Sequence, residues 1–439
     1  MPDATMRFGA MLASLLPVWL TFSGPALADK NPGPEWSYSY TTNPAANLLG
    51  GIKPDVTYTD NHLLSLRVPY SGLFGGAKGS INFSLLDRNG QNLSADAVGN
   101  QFTVQEIYGG QTVIYYALNV VAEFDRLNTV VRLGRMSTGE LFATDSIYWL
   151  YVNNAICGNP QSLIVNTNSG FSAYPAAKWG GAMTSRFGRD VALHFGVFQI
   201  ADVDVTKTHG LDWTIDGKDG VFLIAQLDLN RKEKRGHPSP VLQSSRSGRS
   251  AASLPSEVIL SPFGESSSLE PIETNAFTGM FLSLKSQQGW GGMSGAESVY
   301  GFYAHVDRQV FREPDAALQG LYAWAAASLT PQGSVAKMPA QLNGGLIYTG
   351  LFPGRDDDLS MLGLFGGRFS ADYLATTDAA TRTPLSTMPG YELVIELDHR
   401  FVLSPSTYIQ PNLQIVVNPG GTGTIPGSLV VGLQAGVSF

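Results

Sequence analysis

The chain has 439 residues, 44% of them hydrophobic and only 15% charged, a length that suits one large barrel or about two or three soluble domains. A formal net charge of −8 offers no basic surface for nucleic acid, and a mean hydropathy of +0.01 does not support a set of apolar helical spans.

In chain order, Arg7 precedes an apolar run over 8–28 that contains Pro17 and Pro25 and ends in Ala26-Leu27-Ala28. The small-x-small ending is a secretory cleavage pattern, so residues 1–28 read as a removed signal peptide and Asp29 as the mature start. An uncleaved helical anchor is the other reading, and Met6 is an alternative initiator because Asp3 is out of place in a region that should be positive. Residues 29–50, with Trp36, read as a polar leader.

From there to the end the sequence predicts an all-β fold, a transmembrane antiparallel β-barrel over 51–439 with sixteen strands of about 9 to 13 residues, the length of tilted membrane strands. They fall at 51–59, 61–69, 78–87, 111–123, 128–135, 177–187, 190–201, 220–230, 275–286, 299–311, 319–330, 340–350, 358–368, 391–402, 405–417 and 427–439. Successive strand side chains point to opposite faces, so Val221, Leu223, Ala225, Leu227 and Leu229 oppose Gln226, Asp228 and Asn230. Likewise Tyr391, Leu393, Ile395 and Leu397 oppose Glu392, Glu396, Asp398 and Arg400, a charged row that must line water. The last segment alternates Leu429, Val431, Leu433, Ala435, Val437 and Phe439 with small or polar residues, and an aromatic at its end fits the interface girdle of such barrels.

The connections support the same architecture, with short periplasmic turns at 70–77, 124–127, 188–189, 312–318, 351–357 and 403–404. Longer extracellular loops fall at 88–110, 136–176, 202–219, 287–298, 369–390 and 418–426. The exception is 231–274, which strand parity places on the periplasmic side although it is long, Ser-rich and opens with Arg231-Lys-Glu-Lys-Arg235. It reads as a disordered insertion, or as hiding a further strand at Glu257-Val-Ile-Leu-Ser261. The single cysteine, Cys157, has no partner for an internal disulfide, as export through an oxidising compartment favours, and no His lies near it in sequence to make a catalytic thiol.

Several segments resemble the carbohydrate-selective outer-membrane porin family, porin B. The most specific is Tyr348-Thr-Gly-Leu-Phe-Pro-Gly-Arg-Asp-Asp357; similar in kind are Gly301-Phe-Tyr-Ala-His-Val-Asp-Arg-Gln-Val310, Val131-Arg-Leu-Gly-Arg135, Gly51-Ile-Lys-Pro-Asp-Val-Thr-Tyr-Thr59 and Gln410-Pro-Asn-Leu-Gln-Ile-Val-Val-Asn-Pro-Gly-Gly421. The likeness spans most of 50–439, strongest from 299 and weakest across 231–298. Two departures are the lack of a tryptophan-glycine motif before the first strand and the apolar residues of Tyr115-Tyr-Ala-Leu-Asn-Val-Val121, where the family has an acid. The resemblance implies a sixteen-stranded porin that passes monosaccharides, glucose above all, through an eyelet containing arginine; the reading adopted is a barrel through which small sugars diffuse down their gradient, with no cofactor and no energy source.

A sugar-selective constriction needs groups that replace water around hydroxyls, and arginine presents five donors in a fixed fork beside which a carboxylate can accept. Periodicity puts Arg67, Arg132, Arg186, Glu392, Glu396 and Arg400 on the lumen face, either as selectivity residues or as members of a solvated wall ladder. Trp149, within Tyr148-Trp-Leu-Tyr151 on the long connection 136–176, could stack on a pyranose if that connection folds inward, or belong to the interface girdle. Asp356-Asp-Asp358 reads as a solvated turn or a divalent-cation site. Asp60-Asn-His62 with Ser65, and Asp398-His399, resemble hydrolase fragments, but alternation sends the members of each pair to opposite faces. The partners expected are small sugars, outer-membrane lipid and the barrel-assembly machinery, with no nucleic acid, and a homo-oligomer is left open. The rival functions are a general or anion-preferring diffusion porin and a structural or adhesive barrel.

Overall fold

The computed structural model describes residues 33–439 apart from 74–75, 189, 203–204, 233–271 and 314–318. The expected signal peptide and most of the 231–274 insertion, Glu257-Val-Ile-Leu-Ser261 included, lie outside the described residues. Alternating polar and apolar side chains become strands: β1 (Glu35–Thr42), β2 (Ala45–Leu49), β3 (Asp55–Thr57), β4 (Thr59–Leu73), β5 (Ala77–Gly90) and β6 (Thr112–Phe124). There follow β7 (Thr129–Met136), β8 (Lys178–Phe187), β9 (Val191–Ile200), β10 (Gly220–Lys232), β11 (Ile272–Leu284) and β12 (Val299–Arg312). The wall ends with β13 (Gly320–Leu329), β14 (Ala340–Thr349), β15 (Leu359–Arg368), β16 (Tyr391–Ser404), β17 (Thr407–Val417) and β18 (Ser428–Ser438).

Consecutive strands pair antiparallel, and β18 returns to the start, with Ser39 opposite Ser438 and Ala45 opposite Gly432. β1 and β2 form one wall strand interrupted at Asn43-Pro44, where proline has no N–H to give the ladder; β3 and β4 form another, interrupted at Tyr58. The result is a closed sixteen-stranded antiparallel barrel. The expected facing holds: on β10 Leu227 and Leu229 are 36% and 48% exposed and point outward, whereas Gln226 between them is 4% exposed and points inward.

Two boundaries are corrected. The stretch read as a polar leader supplies the first wall strand, and the segment read as the first strand, 51–59, is the outer turn at Gly50-Gly51 followed by the start of the second wall strand. The first wall strand was disguised because Ser37, Ser39 and Thr41 face inward while hydroxyl-bearing Tyr38, Tyr40 and Thr42 face outward, so both faces looked polar. The errors compensate, and strand parity survives. β10 and β11 are direct neighbours, and the connection between them leaves from the barrel end that carries the tight turn 405–406.

Two connections show how the wall is completed. β7 is too short to cover the outer half of β6, and the connection 201–219 takes that place: Tyr115 N donates to His209 O at 2.9 Å, and Trp213 packs edge-on against Tyr115 and Trp179. At the opposite end, Arg355 donates from Nε and Nη2 to the two oxygens of Asp358, each at 2.7 Å, and Asp358 Oδ1 also accepts from Val402 N. The Pro-Gly-Arg-Asp motif therefore builds a turn, and the oxygens of Asp358 are engaged by arginine. Deleting 33–49 should leave β18 and β4 with unpaired edges and stop closure. The check is the shift between unheated and boiled protein in detergent gels, expected for the full chain and lost in the deletion.

Candidate functional site

The connection 137–177 turns into the barrel and lies along the inner wall. Its apolar side, Phe142, Tyr148, Tyr151 and Phe171, joins Phe198, Phe222, Phe281 and Phe365 of the wall in one buried cluster. Trp324 Nε1 donates to Tyr151 Oη at 2.9 Å, and Tyr151 meets Phe365 edge-on.

A backbone laid against a wall loses water, so its N–H and C=O groups need partners there. Side chains of β16 and β17 supply them. Glu396 accepts from Val152 N at 2.7 Å and Asn153 N at 3.0 Å; Gln410 Nε2 donates to Leu150 O at 2.8 Å and to Asp398 Oδ1 at 2.9 Å. Gln414 accepts from Asn153 Nδ2 and donates to Val104 O, both at 2.9 Å. On β14, Gln341 accepts from Ser162 N and donates to Ala155 O. Glu392 serves the connection 91–111 in the same way, accepting from Gln101 N and Phe102 N at 2.8 Å and from Gly420 N at 2.7 Å.

The expected pore residues therefore separate. Glu392 and Glu396, read as open carboxylates of the lumen, are both 0% exposed and hold loop backbone, which corrects the expectation that they line water. Arg400 does reach the inserted connection: its Nε donates to Gln410 Oε1 at 2.7 Å, its guanidinium stacks 4.2 Å from the Tyr408 ring centre, and Nη2 lies 3.5 Å from the carbonyl of Trp149. Trp149 is half-buried, and its indole lies where a Cβ on Gly158 would sit, 2.7 Å away; Gly158 has φ +80°, so glycine is required there on both counts. Arg186 faces Asp228, which is itself held by His194 Nε2 at 2.8 Å. Arg132 is buried beside Glu140 and Tyr116 at the root of the inserted connection. Arg67 pairs with Glu35 at 3.0 Å across β1 and β4 and is not part of this cluster.

The hydrolase-like fragments are split by the sheet. His62 bonds Tyr38 while Ser65 bonds Ser84, and His399 bonds Ser360 while Asp398 bonds Gln410. The anchors Gln341, Gln410 and Gln414 were missed by sequence reasoning. The available signal was aromatic residues on the lumen face of β9, β10, β11 and β15, where a water-filled pore would have polar ones.

Two carboxyls on the inserted connections are perturbed. Burial pushes Glu106 up to about 7, against the lowering effect of Arg88, whose Nη2 lies 3.5 Å away. Burial likewise pushes Glu140 up to about 7, opposed by a hydrogen bond from Tyr116 and by the Arg132 charge.

Residues 53–439 match the family described as carbohydrate-selective porin, OprB family. The chain belongs to that family. It is 24% identical to Porin B of Pseudomonas aeruginosa over 433 residues, covering 93% of this chain and 88% of the relative. The Acinetobacter baylyi protein QuiX is 22% identical over 431 residues, covering 93% and 89%. The high-pH structure of Pseudomonas putida OprB superposes with a TM-score of 0.76 at 18% identity, over 93% of this chain and 94% of that one. Salmonella typhi OmpF, in complex with daunomycin, shares the fold at a TM-score of 0.54 and 7% identity, over 92% and 97%. This OprB-family chain is an outer-membrane porin, and family and fold point to a transport channel rather than an enzyme.

Glu396→Gln should replace one of the two oxygens that accept from Val152 N and Asn153 N with an amino group that cannot accept, and cost about 1 to 3 kcal/mol of loop anchoring. Gel migration should still report a closed barrel, while single-channel records show a noisier, more open current. Because Glu106 titrates higher in the folded chain than the ~4.3 of an unfolded one, its stabilising contribution is complete below that lower value and is lost as pH rises through about 7. The thermal midpoint should therefore fall between about pH 5 and 8, and Glu106→Gln should flatten that dependence.

Proposed function

We propose that the channel passes monosaccharides such as glucose by passive, sugar-selective diffusion, with Arg400 and Trp149 forming the principal contact in the constriction. The observation that carries this reading is that the anchored connection passes Arg400, with the Trp149 carbonyl 3.5 Å from its Nη2 and the half-buried Trp149 ring on the same turn, inside the barrel of a carbohydrate-selective porin. A guanidinium donates to sugar hydroxyls in fixed directions, and an indole face covers the apolar face of a pyranose. Tyr408 beneath the guanidinium and Gln410 on its Nε restrict the fork, so less rotamer freedom is lost when a sugar arrives. Arg186 is a second donor on the other side of the barrel. Glu392, Glu396, Gln410 and Gln414 position the loop and do not touch the solute.

Ion current through single channels in planar bilayers should be blocked by glucose. Arg400→Ala and Trp149→Ala should each weaken that block, by about tenfold to a hundredfold for the arginine, the loss expected for a hydrogen bond to a charged donor. Arg67→Ala should leave it unchanged. Absence of sugar block in the wild type, with liposome swelling ordered by solute size alone, would replace this reading with a general diffusion porin.

A further inference from the structure

The same inserted connection meets the wall at a cluster that the sugar reading does not use. Asp145, on the turn that leads to Trp149, faces His305 and Asp307 of β12, and one ligand atom from each lies within 4.8 Å of the other two. The His305 side chain is 0% exposed, while Asp145 and Asp307 keep 13% and 12% exposure, so the carboxylates border the lumen and the imidazole lies behind them. His305 Nε2 is 3.8 Å from Asp145 Oδ2 and 3.4 Å from Asp307 Oδ2.

Two explanations can be set against these spacings. An imidazolium bonded directly to a carboxylate would sit at about 2.7 to 2.9 Å. Two ligands of one tetrahedral ion, each about 2.0 to 2.2 Å from it, lie about 3.3 to 3.6 Å apart; the 3.4 Å separation from Asp307 falls in that range, and the 3.8 Å separation from Asp145 is slightly longer and would close on binding. The charges favour the second arrangement, because two carboxylates and a neutral imidazole balance a divalent cation, whereas one imidazolium leaves a net negative charge. The ligands are also held in place. Tyr148 Oη lies 2.9 Å from His305 Nδ1, and Phe277 stacks on the ring at 5.0 Å. Asp145 Oδ1 accepts from Ile147 N at 2.9 Å, and Oδ2 accepts from Asn275 Nδ2 at 2.7 Å. Metal-bound histidines characteristically use their second ring nitrogen in this way, to fix tautomer and orientation.

We propose that Asp145, His305 and Asp307 form a site for a first-row divalent cation of the Zn²⁺ class, which ties the constriction connection to β12. Histidine Nε2 is then the lone-pair nitrogen, Nδ1–H donates to Tyr148 Oη, and water takes the fourth position. The imidazole selects against Ca²⁺ and Mg²⁺, which prefer all-oxygen shells. The site stands independently of the solute the channel carries.

The test is calorimetric titration of Zn²⁺ into EDTA-stripped full-length protein in detergent, with the gel shift as the control for folding. One saturable site per chain is expected. His305→Gln and Asp307→Asn should each weaken it by about a hundredfold or more, Tyr148→Phe by about tenfold as an outer-shell loss, and His209→Gln not at all. Ca²⁺ should bind more weakly than Zn²⁺. If the ligand variants fail to fold, Co²⁺ added to the wild type should give visible absorption that Zn²⁺ removes. No saturable Zn²⁺ site, no Co²⁺ band, binding unaffected by His305→Gln and Asp307→Asn, or equal affinity for Ca²⁺ would each overturn the assignment.

Discussion

The interior of this barrel depends on the satisfaction of loop backbone that has been taken out of water. A strand wall meets its own hydrogen-bonding needs, but the connections 91–111 and 137–177 carry peptide groups inward with no ladder to join. Leaving one such group buried and unpaired costs about 1 to 3 kcal/mol, so several together would exceed the margin by which most folds persist. Glu392, Glu396, Gln341, Gln410 and Gln414 remove that cost, each from a lumen-facing position. Their ordering along β14, β16 and β17 dictates where the inserted backbone can lie. The approach of the Trp149 carbonyl to Arg400 follows from it.

On the proposed function, residues that hold the loop are separate from those that would meet solute. Carboxylates suit the first task because one group accepts from two or three N–H donors, as Glu392 does from Gln101, Phe102 and Gly420. Arginine suits the second because its fork still presents donors when one edge is taken, as Nε of Arg400 is by Gln410. The Pro-Gly-Arg-Asp motif, which carries the most specific family likeness, belongs to neither group. It closes a turn at the other end of the wall through the Arg355–Asp358 pair.

Much of the architecture was legible because period-two alternation assigns each residue a face, and β10 and β16 point as their sequences indicate. Alternation does not say what covers a face. Alternation puts Glu396 on the inward face of β16 but is silent on its role, since the connection that buries it lies more than two hundred residues away in the chain. The first wall strand escaped because a tyrosine hydroxyl on the outward face looks polar in sequence although its ring can meet lipid. Phe198, Phe222, Phe281 and Phe365, lumen-facing and apolar, were the readable sign that something packs against that wall.

The pairing of Ser39 with Ser438 has a kinetic consequence. Every other wall contact joins strands close in sequence, but this seam brings together segments separated by almost the whole chain, and β1 has partners on both sides only when β18 is present. Closing so large a loop is slow, because its entropy must be lost before the contacts form. A chain still being delivered therefore carries two open strand edges, and only the arrival of its last segment lets the wall close.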